Sequence, residues 1–191
     1  MADVKILIEG YTSGETNGRS CSTVVLVQDE LNGVKINIIV DPGTLPSQKR
    51  LKDELNKSGL KVEDIGIVFI THSHMDHYKN IGMFPKAKAL DFYGLFEDDL
   101  WIECDGKITK NIEIINTSGH SDDSMTMLVK TNIDGNDVKV AICGDVFWKE
   151  DFPDYDKLAN DNKKLKETRK KVLILADYII PGHGNMFKVK K

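Results

Sequence analysis

Between Thr71 and His77 the chain reads Thr-His-Ser-His-Met-Asp-His, which places His72, His74, Asp76 and His77 within six residues. The segment follows residues 65–71, a continuous apolar run of the kind that forms a strand covered on both faces. At a strand end alternate side chains share one side, so His72, His74 and Asp76 can converge while the following turn brings His77 round. Imidazole nitrogens with a carboxylate are the donor set that suits Zn²⁺, Mn²⁺ or Fe²⁺. The plainer alternative is a solvated loop that happens to be rich in histidine. Three of the chain's five histidines within six positions argue against it.

The loop alone offers ligands for one ion, and more follow. His120 sits in Thr117-Ser118-Gly119-His120-Ser121, Asp145 in Cys143-Gly144-Asp145, and His183 in Pro181-Gly182-His183-Gly184. Each comes just past an expected strand and beside a glycine, where backbone can turn sharply or approach closely. Taken singly, such a residue is more often a cap or a turn former. Taken together they gather where strands end.

The elements around these points are readable. Residues 4–9 alternate as a strand and residues 10–20 form a polar loop. Residues 23–28 and 34–40 are β-branched runs joined through Asn32-Gly33, a strong hairpin signal. Residues 46–58 read as a helix burying Leu51 and Leu55 and stopped by Gly59. Strands are expected at 111–117, 124–130, 138–143 and 178–181. A helix is expected over 156–176, with Leu158, Leu165, Val172 and Leu175 inward. Strands followed by helices in both halves predict two sheets packed face to face with helices outside, in a single domain spanning residues 1–191.

Composition narrows the class. At 191 residues, 40% hydrophobic and a net charge of −4, the chain lacks the dominant basic field of a DNA-gripping protein, though a local patch survives that test. No apolar run approaches the roughly 20 residues that span a bilayer, so no membrane partner is expected. The opening Met1–Lys5 runs straight into a strand pattern without an apolar leader. Three widely spaced cysteines with no Cys-x-x-Cys suit a reducing compartment. A cytoplasmic location is the expectation.

His72-x-His74-x-Asp76-His77, then His120, Asp145 and His183 in that order, resembles the metallo-β-lactamase-fold hydrolase superfamily, and the Asp41-Pro42-Gly43 turn resembles its first motif. Residues 4–12, 143–147 and 181–184 are similar in kind to the branch of metallo-β-lactamase domain-containing proteins. The resemblance implies an α/β fold, an αββα sandwich of two mixed sheets with helices on the outer faces. It implies two divalent ions, zinc by preference with iron or manganese possible. His72, His74 and His120 would hold the first ion, Asp76, His77 and His183 the second, and Asp145 would bridge them. Asp41 would orient the ligand loop by hydrogen bonds without touching metal. Asp76 would also be the catalytic acid–base group beside a water activated between the ions. Relatives that cleave β-lactams commonly carry Cys where Asp145 stands and are exported, which argues against antibiotic hydrolysis.

Three substrate classes remain open: a small ester, thioester or lactone; single-stranded RNA, gripped through Lys86, Lys88 and Lys149; and, with one iron, a sulfur substrate for dioxygenation. Phe147, Trp148, Phe152 and Tyr155 either wall the pocket or cover the sheet. Residues 10–20 form either a flap or an ordinary connection. Asp122 and Asp123 are expected to cap the next element, and residues 164–171 to form a solvated charged face.

Overall fold

The computed structural model describes residues 1–190, so the last residue of the C-terminal tail lies outside it. The chain opens with β1 (Asp3–Ile8), β2 (Val24–Leu31) and β3 (Val34–Val40), joined antiparallel, the last two through Asn32-Gly33 as expected. α1 (Gln48–Lys57) begins at Ser47, whose hydroxyl accepts from the backbone N–H of Lys49, and buries Leu51 and Leu55. β4 (Ile67–Phe69) runs parallel to β3 and is followed by a single helical turn, α2 (Met75–Tyr78).

Residues 88–102, which carry no sequence signal strong enough to predict, add three short strands: β5 (Lys88–Asp91), β6 (Gly94–Glu97) and β7 (Leu100–Ile102). They complete a seven-stranded mixed sheet in sequential order. The second sheet holds β8 (Ile112–Asn116), β9 (Met125–Ile133), β10 (Asn136–Ile142), β11 (Tyr178–Ile180) and β12 (Phe187–Lys188), with β10 and β11 parallel. Between β10 and β11 lies α3 (Asn162–Leu175).

Alternation along the strands decides the layers. Val25, Val27, Ile38, Val40 and Phe69 of the first sheet meet Ile112, Met127, Val129, Val140 and Ile142 of the second. The opposite face of the first sheet, through Leu26, Ile39 and Val68, takes Leu51 and Leu55 of α1. The opposite face of the second, through Leu128, Ala141 and Ile179, takes Leu165 and Val172 of α3. The order is helix, sheet, sheet, helix.

The expected helix over 156–176 starts later. Asp161 caps it, its carboxylate accepting from the Lys164 N–H, and residues 156–161 form a loop that leaves Leu158 exposed. The expected solvated face of α3 has one exception, Arg169, which is buried. Among the described residues no helix is long and apolar enough to cross a membrane.

Candidate metal centre

Strand ends from both sheets meet at one edge. Asp41 follows β3, the segment from Thr71 to His77 follows β4, His120 lies in the β8–β9 turn, Asp145 follows β10 and His183 follows β11. Two groups form there: His72, His74, His120 and Asp145, and beside them Asp76, His77 and His183, each with ligand atoms within 4.8 Å of one another. The two oxygens of Asp145 divide between the groups. Oδ2 lies 3.5 Å from His120 Nε2, while Oδ1 lies 3.3 Å from both His77 Nε2 and His183 Nε2.

The hydrogen bonds around the rings fix which nitrogen of most of them faces inward. His77 Nδ1 donates to Asp41 Oδ2 at 2.7 Å, His120 Nδ1 to Asp156 Oδ2 at 2.8 Å, and His183 Nδ1 to the Cys21 carbonyl at 3.0 Å. Thr71 gives its hydroxyl proton to Asp41 Oδ2, so its oxygen accepts from His72 Nδ1 at 3.1 Å. Nε2 of all four rings is thereby turned into the site. His74 differs, presenting Nδ1 at 3.0 Å from Nε2 of both His72 and His120.

Three imidazole nitrogens facing one another at 3.0 Å repel unless a positive charge lies among them. Burial and the neighbouring rings hold His72 well below the usual histidine range, and His74 is lowered for the same two reasons, so both present lone pairs. In the second group burial again opposes the charged form, yet the Asp145 carboxylate beside His77 and His183 raises both, His77 well above its usual range. Burial opposes ionisation of Asp145 too, but those same imidazoles hold it well below the ordinary carboxylate range. His77 Nε2 and Asp145 Oδ1 are buried without a hydrogen-bond partner. Orphaned donor atoms of this kind carry a substantial desolvation cost, and divalent cations fit the gap between them.

Tight backbone supports the arrangement. A Cβ on Gly182 would lie 1.9 Å from Asp145 Oδ1, so only glycine lets the turn after β11 pass behind that carboxylate. Asp41, at φ 49°, accepts from the Thr71 N–H at 2.8 Å as well as from Thr71 Oγ1 and His77.

Four residues here were not singled out for these roles from sequence. Asp156 orients His120 from 36 positions away, where nothing local marks it. Thr71 relays between Asp41 and His72. Ser20 donates to Asp76 Oδ2, tying loop 10–20 to the second group. Asp123, expected as a cap, instead accepts from the Ser73 N–H at 2.9 Å and holds the ligand loop. Of the aromatic residues considered as walls, Phe147 and Phe152 pack in the outer core and Tyr155 is exposed. Only Trp148 stands near the site, its ring 6.5 Å from that of His120.

A model of the Metallo-beta-lactamase superfamily matches residues 17–91. Metallo-beta-lactamase domain-containing protein 1 of Xenopus laevis is 29% identical over 199 residues, covering 98% of this chain and 82% of that one. A protein named probable metallo-hydrolase from Methanocaldococcus jannaschii is 31% identical over 163 residues, covering 80% and 74%. In structure, a metallo-β-lactamase-type protein of Thermotoga maritima superposes with a TM-score of 0.74 at 20% identity, over 98% of this chain and 99% of that one. AidC, a dizinc quorum-quenching lactonase, superposes with a TM-score of 0.61 at 14% identity, over 85% and 72%. The structural likenesses speak for the fold and the sequence relatives for descent: the chain belongs to the metallo-β-lactamase superfamily of metal-dependent hydrolases.

Proposed function

We propose that the protein is a two-cation hydrolase of a small ester, thioester or lactone, with zinc the ion best matched to its nitrogen-rich cage. One observation carries the reading: the two oxygens of Asp145 face two separate ligand groups, and one of them is buried without a hydrogen bond. A related fold in AidC, described as a dizinc lactonase, is in keeping with it. Two divalent cations bound there would supply a water acidified toward neutrality and positive charge against the substrate's carbonyl oxygen.

The chain's own residues do the rest. Asp41, Asp156 and the Cys21 carbonyl hold His77, His120 and His183 in place before substrate arrives, so little reorganisation accompanies the reaction. Asp76 is the partly open carboxylate of the site, at 26% side-chain exposure, with Oδ2 3.6 Å from His183 Nε2. Ser20 donates to that same oxygen. Oδ1 is then left to take the proton of the attacking water and pass it to the leaving group.

The alternatives find less support. Lys88 is paired with Glu97 at 2.9 Å and Lys149 with Glu15, so two of the three lysines considered for an RNA rim are already engaged. A one-iron oxygenase has no need of Asp76, His77 and His183, which are intact and aimed at the same centre.

The test is metal content together with turnover. Zinc-loaded protein is expected to hold two ions per chain and to hydrolyse thioesters or lactones, with activity lost to chelator and restored by zinc. Asp145→Ala is expected to lower occupancy and turnover together. Full activity with one ion per chain would sink the two-cation reading. Salt-sensitive cleavage of labelled single-stranded RNA would replace the substrate class.

A further inference from the structure

Beside the cage lies a cavity of about 170 Å³ whose apolar lining comes from Ile70, Tyr78, Ile81, Phe92 and Tyr93. His72 and Ser73 form another part of its wall. His72 therefore belongs to both places, since its Nε2 faces the other ligands. A group seated in the cavity is one side chain away from the proposed reaction centre.

The lip is made of exposed aromatic rings. Phe92 is 42% and Tyr93 68% exposed, and the two stand edge to face with centroids 5.4 Å apart. Their turn is well held: Asp91 Oδ1 accepts from the Tyr93 N–H at 2.8 Å, and Trp101 Nε1 donates to the Tyr93 carbonyl at 2.7 Å. Gly94 closes the turn at φ 143°, where a Cβ would meet Trp101 Nε1 at 2.5 Å. Two adjacent rings held at a cavity mouth contribute little to the core but offer stacking area to a ligand.

Charge and size narrow the ligand. No lysine or arginine lines the cavity, and its two carboxylates, Asp91 and Asp123, already accept backbone N–H groups. An anionic group would lose hydration there without gaining a partner. The volume is close to that of a dry cavity of about 150 Å³ that accepts benzene.

We infer that this cavity is a substrate subsite for an uncharged apolar group, a phenyl ring or a chain of about six carbons, attached to the carbonyl that is hydrolysed. The inference rests on the small-ester reading of the metal centre and adds its specificity. It excludes anionic acyl groups as preferred substrates.

Two measurements on the zinc-loaded protein separate the subsite from the chemistry. In the first, 1-hexanol is titrated into protein carrying ¹³C-labelled isoleucine methyls. Saturable shifts are expected at Ile70 and Ile81, and Ile81→Phe, which fills the cavity, should abolish the shift at Ile70. In the second, S-ethyl thioesters with acyl chains of two to ten carbons are compared by thiol release. kcat/KM should rise about fourfold per methylene up to roughly six carbons and then level off. Phe92→Ala, at the exposed lip, and Ile81→Phe should each lower the hexanoyl-to-acetyl ratio at least tenfold. Hexanol that leaves both methyls unmoved, or a chain-length ratio unchanged in both variants, overturns the subsite. Methyl shifts without hydrolysis of any thioester or lactone would support the subsite and count against the hydrolase reading alone.

Discussion

At the scale of single residues, the site depends on side chains that touch no proposed ligand position. Asp156 is the clearest case: it is buried, its Oδ2 accepts from His120 Nδ1 at 2.8 Å, and its Oδ1 accepts from the Leu158 N–H. The first bond sets the tautomer that turns His120 Nε2 inward, and removing such a partner typically weakens metal binding 10- to 100-fold. Asp156→Ala is therefore expected to lower zinc affinity by about one to two orders of magnitude in a chelator competition. Unchanged affinity in a folded variant would remove Asp156 from the machinery. His120 was legible in sequence because it follows a strand and a glycine. Asp156 was not, because the contact joins residues 36 apart through a loop that looked helical.

At the scale of elements, α3 does more than cover a sheet. Arg169, 5% exposed, donates through Nε to the Val146 carbonyl at 2.8 Å and through Nη1 to the Pro153 carbonyl at 2.9 Å. Its guanidinium also stands over the Phe152 ring at 4.4 Å. One side chain thus ties the helix to the turn after Asp145 and to the loop that carries Asp156. Arg169→Met would leave the carbonyls of Val146, Pro153 and Asp154 without this donor, at a cost of about 2–4 kcal/mol. The shift should appear in the urea midpoint, and a midpoint equal to the parent would contradict it. Sequence pattern read residues 164–171 as one solvated face because charge alone is visible there. Whether an arginine on a lysine-rich helix points in or out depends on what stands opposite, here carbonyls and phenyl rings brought from elsewhere.

At the scale of the molecule, the two sheets are pinned together away from the site as well. Asp29 on β2 accepts from the Thr109 hydroxyl and from Asn111 Nδ2 at 3.0 Å, just ahead of β8 in the other sheet. Burial works against its ionisation, but these donors hold its carboxyl below the ordinary aspartate range. A carboxylate lowered on folding contributes stability that is complete above its unfolded value, near 4, and is lost as pH falls through the folded one. Asp29→Asn should accordingly flatten part of the acid limb of the stability curve below about pH 4 while leaving its slope at higher pH unchanged. Parallel acid limbs for parent and variant would show that the contact carries no such linkage.

The boundary between what could be read and what could not follows from the range of the forces involved. Strand alternation, the Asn32-Gly33 turn, the spacing of Leu51 and Leu55 ahead of Gly59 in α1 and the crowded run from Thr71 to His77 are local, set by neighbouring residues and by backbone geometry. From these the layered architecture and seven candidate ligands were legible. The hairpins of residues 88–102 were not: their strands are three or four residues long, too short for a period to emerge, and they are held by pairing with β4. The same holds for the orientation of the rings by Asp156 and the Cys21 carbonyl, and for the apolar cavity beside His72. Each depends on hydrogen bonds or walls contributed by segments distant in the chain. Residue types determined which chemistry was available; only the packing of two sheets decided which nitrogens face one another, because a hydrogen bond and a cavity wall act over a few ångströms in space rather than over a span of sequence.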